Sequence, residues 1–158
     1  MQKTFTTKSD TETIVLGSKL GGLLRGGEFI ALTGDLGGGK TQFTKGLAKA
    51  LGIDETVVSP TFTIERIYTP VVIPGRKPGI QLHHFDLYRT QNDREIAESI
   101  HDLVSDGESI IAVEWPENIE GIAPAENLAI EFVYLNENER ELTFYPTGSS
   151  YEKLVSEL

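Results

Sequence analysis

Cysteine is absent from the 158 residues. That excludes a disulfide framework, a thiolate zinc site and a cysteine nucleophile. No apolar run approaches the roughly 20 residues that a membrane helix needs, so no membrane association is expected. Met1-Gln2-Lys3-Thr4-Phe5 lacks the apolar stretch of a signal peptide, and the expected location is the cytoplasm. Bases are scarce: 14 Lys and Arg stand against 24 Asp and Glu, a net charge of −10. Gripping RNA or DNA needs a basic face, so the chain is not expected to hold a nucleic acid by itself. Work beside a nucleic acid stays open, in a complex whose other members carry the positive charge.

What is present suits one globular domain, 1–158, with 39% hydrophobic and 24% charged residues; two domains would be crowded at this length. Ser9-Asp10-Thr11-Glu12 has the form of a capping box. Leu16, Leu20, Leu23 and Leu24 then recur at helical spacing, up to an end at Arg25-Gly26-Gly27. Residues 28–33 read as a buried strand. Phe43, Leu47, Ala50 and Leu51 form one helical face, closed by Gly52. Strands are expected over 60–67, 80–87 and 110–113, and the proline- and glycine-rich stretch 70–79 reads as a surface excursion. Asn92 and Glu95 open a capped helix with Ile96, Ile100, Leu103 and Val104 on one face. Alternating runs at 128–135 and 141–145 flank a turn-like Asn136-Glu137-Asn138-Glu139, an antiparallel hairpin. Tyr151, Leu154, Val155 and Leu158 close the chain as a docked helix. The order predicts an α/β fold: a P-loop NTPase-type mixed β-sheet flanked by helices, parallel near the loop, with a C-terminal antiparallel hairpin.

Gly34-Asp35-Leu36-Gly37-Gly38-Gly39-Lys40-Thr41 fits G-x-x-x-x-G-K-[ST] at every fixed position. The glycines let backbone N–H groups close around phosphates, and the following helix adds about half a positive charge at its N-terminus. Lys40 is expected at the β- and γ-phosphates and the Thr41 hydroxyl on Mg²⁺. The buried strand before the loop and the amphipathic helix after it are the context this motif requires. The expected ligand is ATP or GTP with magnesium.

Such a site needs an acid at the end of a neighbouring buried strand. Ile110-Ile111-Ala112-Val113-Glu114 has that form, and Glu114 is the expected metal-side carboxylate. Asp86 also ends a strand, although His83 and His84 interrupt its apolar run; pattern alone leaves it a surface aspartate or a site residue. Ser59-Pro60-Thr61-Phe62-Thr63 lies where many NTPases place a γ-phosphate sensor, yet Ser-Pro-Thr is also ordinary strand-entry chemistry. His83, His84 and Asp86 raise the idea of zinc, but adjacent strand residues point to opposite faces, so only one histidine shares a face with Asp86. Trp115 suits stacking on a base or ribose, or core packing.

Taken together in order, the Gly34–Thr41 loop, Ser59-Pro60-Thr61-Phe62-Thr63, His84-Phe85-Asp86-Leu87-Tyr88-Arg89 and Val113-Glu114-Trp115-Pro116 give a chain that resembles the TsaE (YjeE) family. These are small bacterial ATPases of the machinery that makes N6-threonylcarbamoyladenosine in tRNA. The resemblance implies magnesium-dependent ATP hydrolysis. It also implies docking on two related subunits, the pair that transfers threonylcarbamoyl to adenosine 37 of ANN-decoding tRNAs, with tRNA met only through that complex. ATP turnover then supports repeated rounds by resetting the complex, while the transfer chemistry sits on a partner. Carried over, Asp35, Leu36, Gly37, Gly38, Gly39, Lys40 and Thr41 bind nucleotide, Thr41 and Glu114 sit on the metal side, Asp86 is an essential carboxylate and Thr61 a switch residue. Thr13 is carried as a nucleotide contact from the N-terminal segment. Two features depart from the family pattern: Gly38 replaces the usual alanine, and the 70–79 stretch is longer.

A small-molecule kinase would share this loop, but a kinase brings lid arginines to clamp the transferred phosphoryl group. The six arginines here are dispersed, and the 70–79 stretch offers only Arg76. A nucleotide-dependent binding module without useful hydrolysis is the third reading.

Overall fold

A computed structural model describes residues 1–72, 74–75 and 78–158. The elements in chain order are β1 (Lys3–Thr7), α1 (Asp10–Leu23), β2 (Phe29–Gly34), α2 (Lys40–Ala50), β3 (Glu65–Tyr68), β4 (Gln81–Asp86), α3 (Arg94–Asp106), β5 (Ser109–Glu114), β6 (Asn127–Tyr134), β7 (Arg140–Thr147) and α4 (Ser149–Ser156). The described strands form one sheet in the order β1-β7-β6-β2-β5-β4-β3. Its centre, β6-β2-β5-β4, is parallel, while β3 and the β7–β1 pair add antiparallel edges. The expected mixed sheet and its C-terminal hairpin are therefore present.

Each face of the sheet carries its own core. Leu16, Leu20, Phe43 and Leu47 of α1 and α2 cover Ile30, Leu32, Ala112, Ile130 and Phe144, and α4 joins them through Tyr151 and Val155. Phe43 meets Phe132 and Phe144 edge-on, with centroids 5.6 and 6.0 Å away; each such buried ring contributes about 1.5–3 kcal/mol. On the other face Ile100 of α3 packs with Phe29, Phe85, Ile111 and Val113. Strands β2 and β5 are covered on both faces, which is why their sequences run continuously apolar instead of alternating.

Two glycines of α1, Gly17 and Gly21, are packing features. A Cβ at Gly17 would stand 2.2 Å from the Phe43 carbonyl oxygen, and one at Gly46 would stand 2.1 Å from that of Ile14. Only glycine lets the two helices lie this close, and the Ser18 hydroxyl donates across the gap to the Gly46 carbonyl at 3.0 Å.

Several boundaries differ from expectation. β1 was not foreseen; its five residues carry only a short alternation, and pairing with β7 gives them their place, with Phe5 edge-on to Phe144. Ser9 caps α1 as expected, its hydroxyl accepting from Glu12 N, but the Glu12 carboxylate takes Lys8 N, one residue before the cap. Helix α1 stops at Leu23 because Leu24 is already extended. The strand expected over 60–67 shrinks to β3, because 60–64 is a turn closed by Pro60 O and Ile64 has a left-handed φ of 67°. Helix α3 is capped by Asp93, one residue beyond Asn92, its carboxylate accepting from Glu95 N and Ile96 N. Of the 70–79 excursion, residues 73, 76 and 77 lie outside the described residues, so the Arg76 expectation does too.

Candidate functional site

Strand β2 delivers the loop at the C-terminal edge of the sheet, where open α/β sheets bind ligands. Gly34 has φ 129°, and a Cβ there would stand 2.3 Å from the Phe132 carbonyl oxygen on β6. The loop can leave the sheet only because this residue lacks a side chain. Gly39, at φ 99°, is the N-cap of α2 and offers no side-chain cap, so the first-turn N–H groups of the helix face the loop.

Lys40, the first residue of α2, is buried, and its ammonium donates to the carbonyls of Gly34 and of Asp35, the latter at 2.9 Å. Burial pushes its pKa down from the ordinary lysine value; the carboxylates of Glu114, Asp86, Glu117 and Asp35 pull the other way. The Trp115 ring stands 5.0 Å from Nζ and 5.0 Å from the Tyr88 ring, with the Trp115 backbone held at φ 58°. This tryptophan therefore packs on the loop lysine as well as on the second core.

The two strand-end carboxylates are brought together. Asp86 and Glu114 are paired in register across β4 and β5, and Glu114 is in turn opposite Leu32 of β2. Both are buried, so Asp86 is no surface aspartate. Asp86 Oδ2 accepts from the hydroxyls of Ser59 at 2.7 Å and Thr61 at 2.9 Å, and Oδ1 accepts from Tyr88 N at 2.9 Å. Glu114 Oε1 lies 2.8 Å from His84 Nε2. The two histidines point to opposite faces: His83 pairs with Glu65 at 2.7 Å and His84 with Glu114, so they do not converge with Asp86 on one centre.

A cavity of about 390 Å³ collects Leu36, Gly37, Gly38, Gly39, Lys40 and Thr41 with Thr61, Asp86 and Glu114. Asp35 joins through its backbone, whose carbonyl takes Lys40 and Gly38 N. Thr13 is not among the lining residues. It is buried behind the loop, 3.7 Å from where a Cβ on Gly39 would stand, and its hydroxyl pairs with Thr7 at 2.7 Å and Ser9 O at 3.3 Å. A larger hollow of about 570 Å³ opens at the other end of β2, beside Gly26, Gly27, Tyr151 and Leu154. None of the loop's charged groups lines it, so the smaller, polar cavity is the chemical one.

Ser59, Asp10, Gln42 and Arg140 also line the cavity, and sequence reasoning did not select them. Ser59 belongs to the same Ser59–Thr63 segment as Thr61, and the two hydroxyls lie 2.9 Å apart. Arg140 carries no local signal: the β6–β7 register sets it opposite Tyr134, and Nε then donates to the Gly37 carbonyl at 3.2 Å, 103 residues away in sequence. Chemically the cavity brings backbone donors and the cations of Lys40 and Arg140 together with the hydroxyls of Thr41, Ser59 and Thr61 and the carboxylates of Asp10, Asp86 and Glu114. That donor set suits a phosphate chain carrying a divalent cation.

The family model described as "Threonylcarbamoyl adenosine biosynthesis protein TsaE" matches residues 7–142. The tRNA threonylcarbamoyladenosine biosynthesis protein TsaE of Bacillus subtilis is 38% identical, over 96% of this chain and 90% of its own length. The protein of the same name from Nostoc is 34% identical, over 99% and 93%. Among solved structures, that of Bacillus subtilis YdiB superposes with a TM-score of 0.79 at 33% identity, covering 99% of this chain and 93% of that one. In the described residues no helix is long and apolar enough to cross a membrane. With the family model spanning both the loop and the two strand-end carboxylates, the chain belongs to the TsaE family.

Proposed function

We propose that this protein is a magnesium-dependent ATPase serving the formation of N6-threonylcarbamoyladenosine in tRNA, as the energy-coupling subunit that resets the partner pair carrying out the transfer. The relatives' names support the pathway. The observation that carries the ATPase reading is the meeting of Lys40, Asp86 and Glu114 in the cavity of the glycine loop.

In this reading the loop N–H groups and the N-terminus of α2 bind the phosphates, and Lys40 leaves the Gly34 and Asp35 carbonyls for the β- and γ-oxygens. Thr41 and Glu114 would hold magnesium, which would supply positive charge for the phosphate oxygens. Magnesium commonly binds through one or two protein groups plus phosphates, and these two residues fit that economy. The Asp86 carboxylate keeps Ser59 and Thr61 beside the cavity, so this short segment responds to whatever occupies the γ-position.

Radiolabelled ATP tests the reading, with the protein alone and then with the partner pair and tRNA. Phosphate release stimulated by the complex is the expected result. Label on a small metabolite would make the protein a kinase, and ATP retained unhydrolysed would make it a binding module.

A further inference from the structure

His84 is the second residue before Asp86 on β4 and shares its face. Its ring is fully buried, and Nε2 lies 2.8 Å from Glu114 Oε1. The other ring nitrogen, Nδ1, is buried and has no hydrogen-bond partner among the described residues. A proton on Nδ1 would leave an orphaned buried N–H, which native proteins rarely tolerate. A proton on Nε2 instead donates to a carboxylate and leaves Nδ1 as a bare lone pair. Glu114 Oε2 accepts no hydrogen bond from any described residue, while Glu114 lines the cavity.

We infer that His84, as its Nε2–H tautomer, is a positioning residue that fixes one oxygen of Glu114 so that the other is presented to the phosphate cavity. A carboxylate at the end of a strand turns freely about its last bonds, and a single fixed oxygen removes most of that freedom. Losing such an outer partner costs about ten- to hundred-fold in metal affinity or activity in comparable sites. The inference rests on the proposed ATPase activity for its kinetic consequence, but not for the tautomer.

Nε2 of glutamine stands at the same remove from Cβ as Nε2 of histidine, whereas the amide nitrogen of asparagine falls short. His84→Gln should therefore keep most of kcat. His84→Asn and His84→Leu should lose about ten- to hundred-fold, with KM for ATP little changed. In a Glu114→Gln background the His84→Leu loss should largely vanish, because the two residues act as one unit. Equal losses in all three His84 variants, or losses that multiply with Glu114→Gln, would overturn the inference. Nitrogen-15 histidine NMR of the full chain, with His84→Gln to identify the resonance, supplies a readout independent of turnover. A protonated Nε2 beside a bare Nδ1 is expected, and a protonated Nδ1 would also overturn it. If the wild type shows no ATP turnover with its partners, the ATPase reading fails, and the tautomer still decides whether His84 holds Glu114.

Discussion

Lys40 donates a 2.9 Å hydrogen bond to the carbonyl of Asp35, five residues before it, so the loop's cation is turned onto the loop's own backbone. Binding a phosphate chain must exchange these carbonyls for phosphate oxygens, and burial of the ammonium favours that exchange by leaving it poorly hydrated. Lys40→Ala is expected to lower ATP affinity at least about a hundredfold, since hydrogen bonds to charged groups are worth about 1.5–3 kcal/mol each. Titration calorimetry reads this directly. Unchanged affinity would remove the loop from the site.

The two carboxylates separate by what they hold. Glu114→Gln keeps size and one acceptor but loses the charge that would face magnesium in the proposed site, so kcat should fall more than ATP affinity. Chelation with EDTA should abolish turnover in the wild type. Turnover equal to wild type in Glu114→Gln would transfer the metal-side role to Asp86.

Asp86→Ala removes the acceptor shared by Ser59, Thr61 and Tyr88 N. These donors are half-buried or exposed and water can replace the lost acceptor in part, so the loss is about 1 kcal/mol and thermal unfolding should drop by about 2–4 °C for a chain of this size. An unchanged melting temperature would show that the 59–61 segment is held by other contacts.

The same glycine-to-alanine change should have opposite signs at two positions. Gly46→Ala drives a Cβ into the backbone of α1, and overpacking of this kind costs about 1–3 kcal/mol. Gly22→Ala meets nothing within 4 Å and should stabilise by about 0.5 kcal/mol through lower helix entropy cost. Denaturant midpoints with equal slopes test the pair; a shift of the same sign in both would contradict the close-approach account of α1 and α2.

At a net charge of −10, the isolated protein should show negligible tRNA affinity at physiological salt. Retention of tRNA in a filter assay without partners would contradict it.

The sequence by itself determined the loop and its setting. A glycine-lysine-threonine signature between an apolar strand and an amphipathic helix marks the β2–loop–α2 unit, and Ile110–Val113 ending in Glu114 marks the neighbouring strand because double burial requires an unbroken apolar run. The alternating runs around 136–139 likewise carried the hairpin. Local pattern was silent wherever the stabilising partner is far along the chain. Strand β1 exists because β7 supplies its ladder, the 60–64 turn is tied down because Asp86 binds Ser59 and Thr61, and Gly17 and Gly21 stand in α1 because α2 lies against them. Arg140 reaches Gly37, and His84 reaches Glu114, only after strand order and register are set. Periodicity reports which face of an element is buried; which residues meet at the end of a sheet depends on strand order, and that order is a property of the assembled fold.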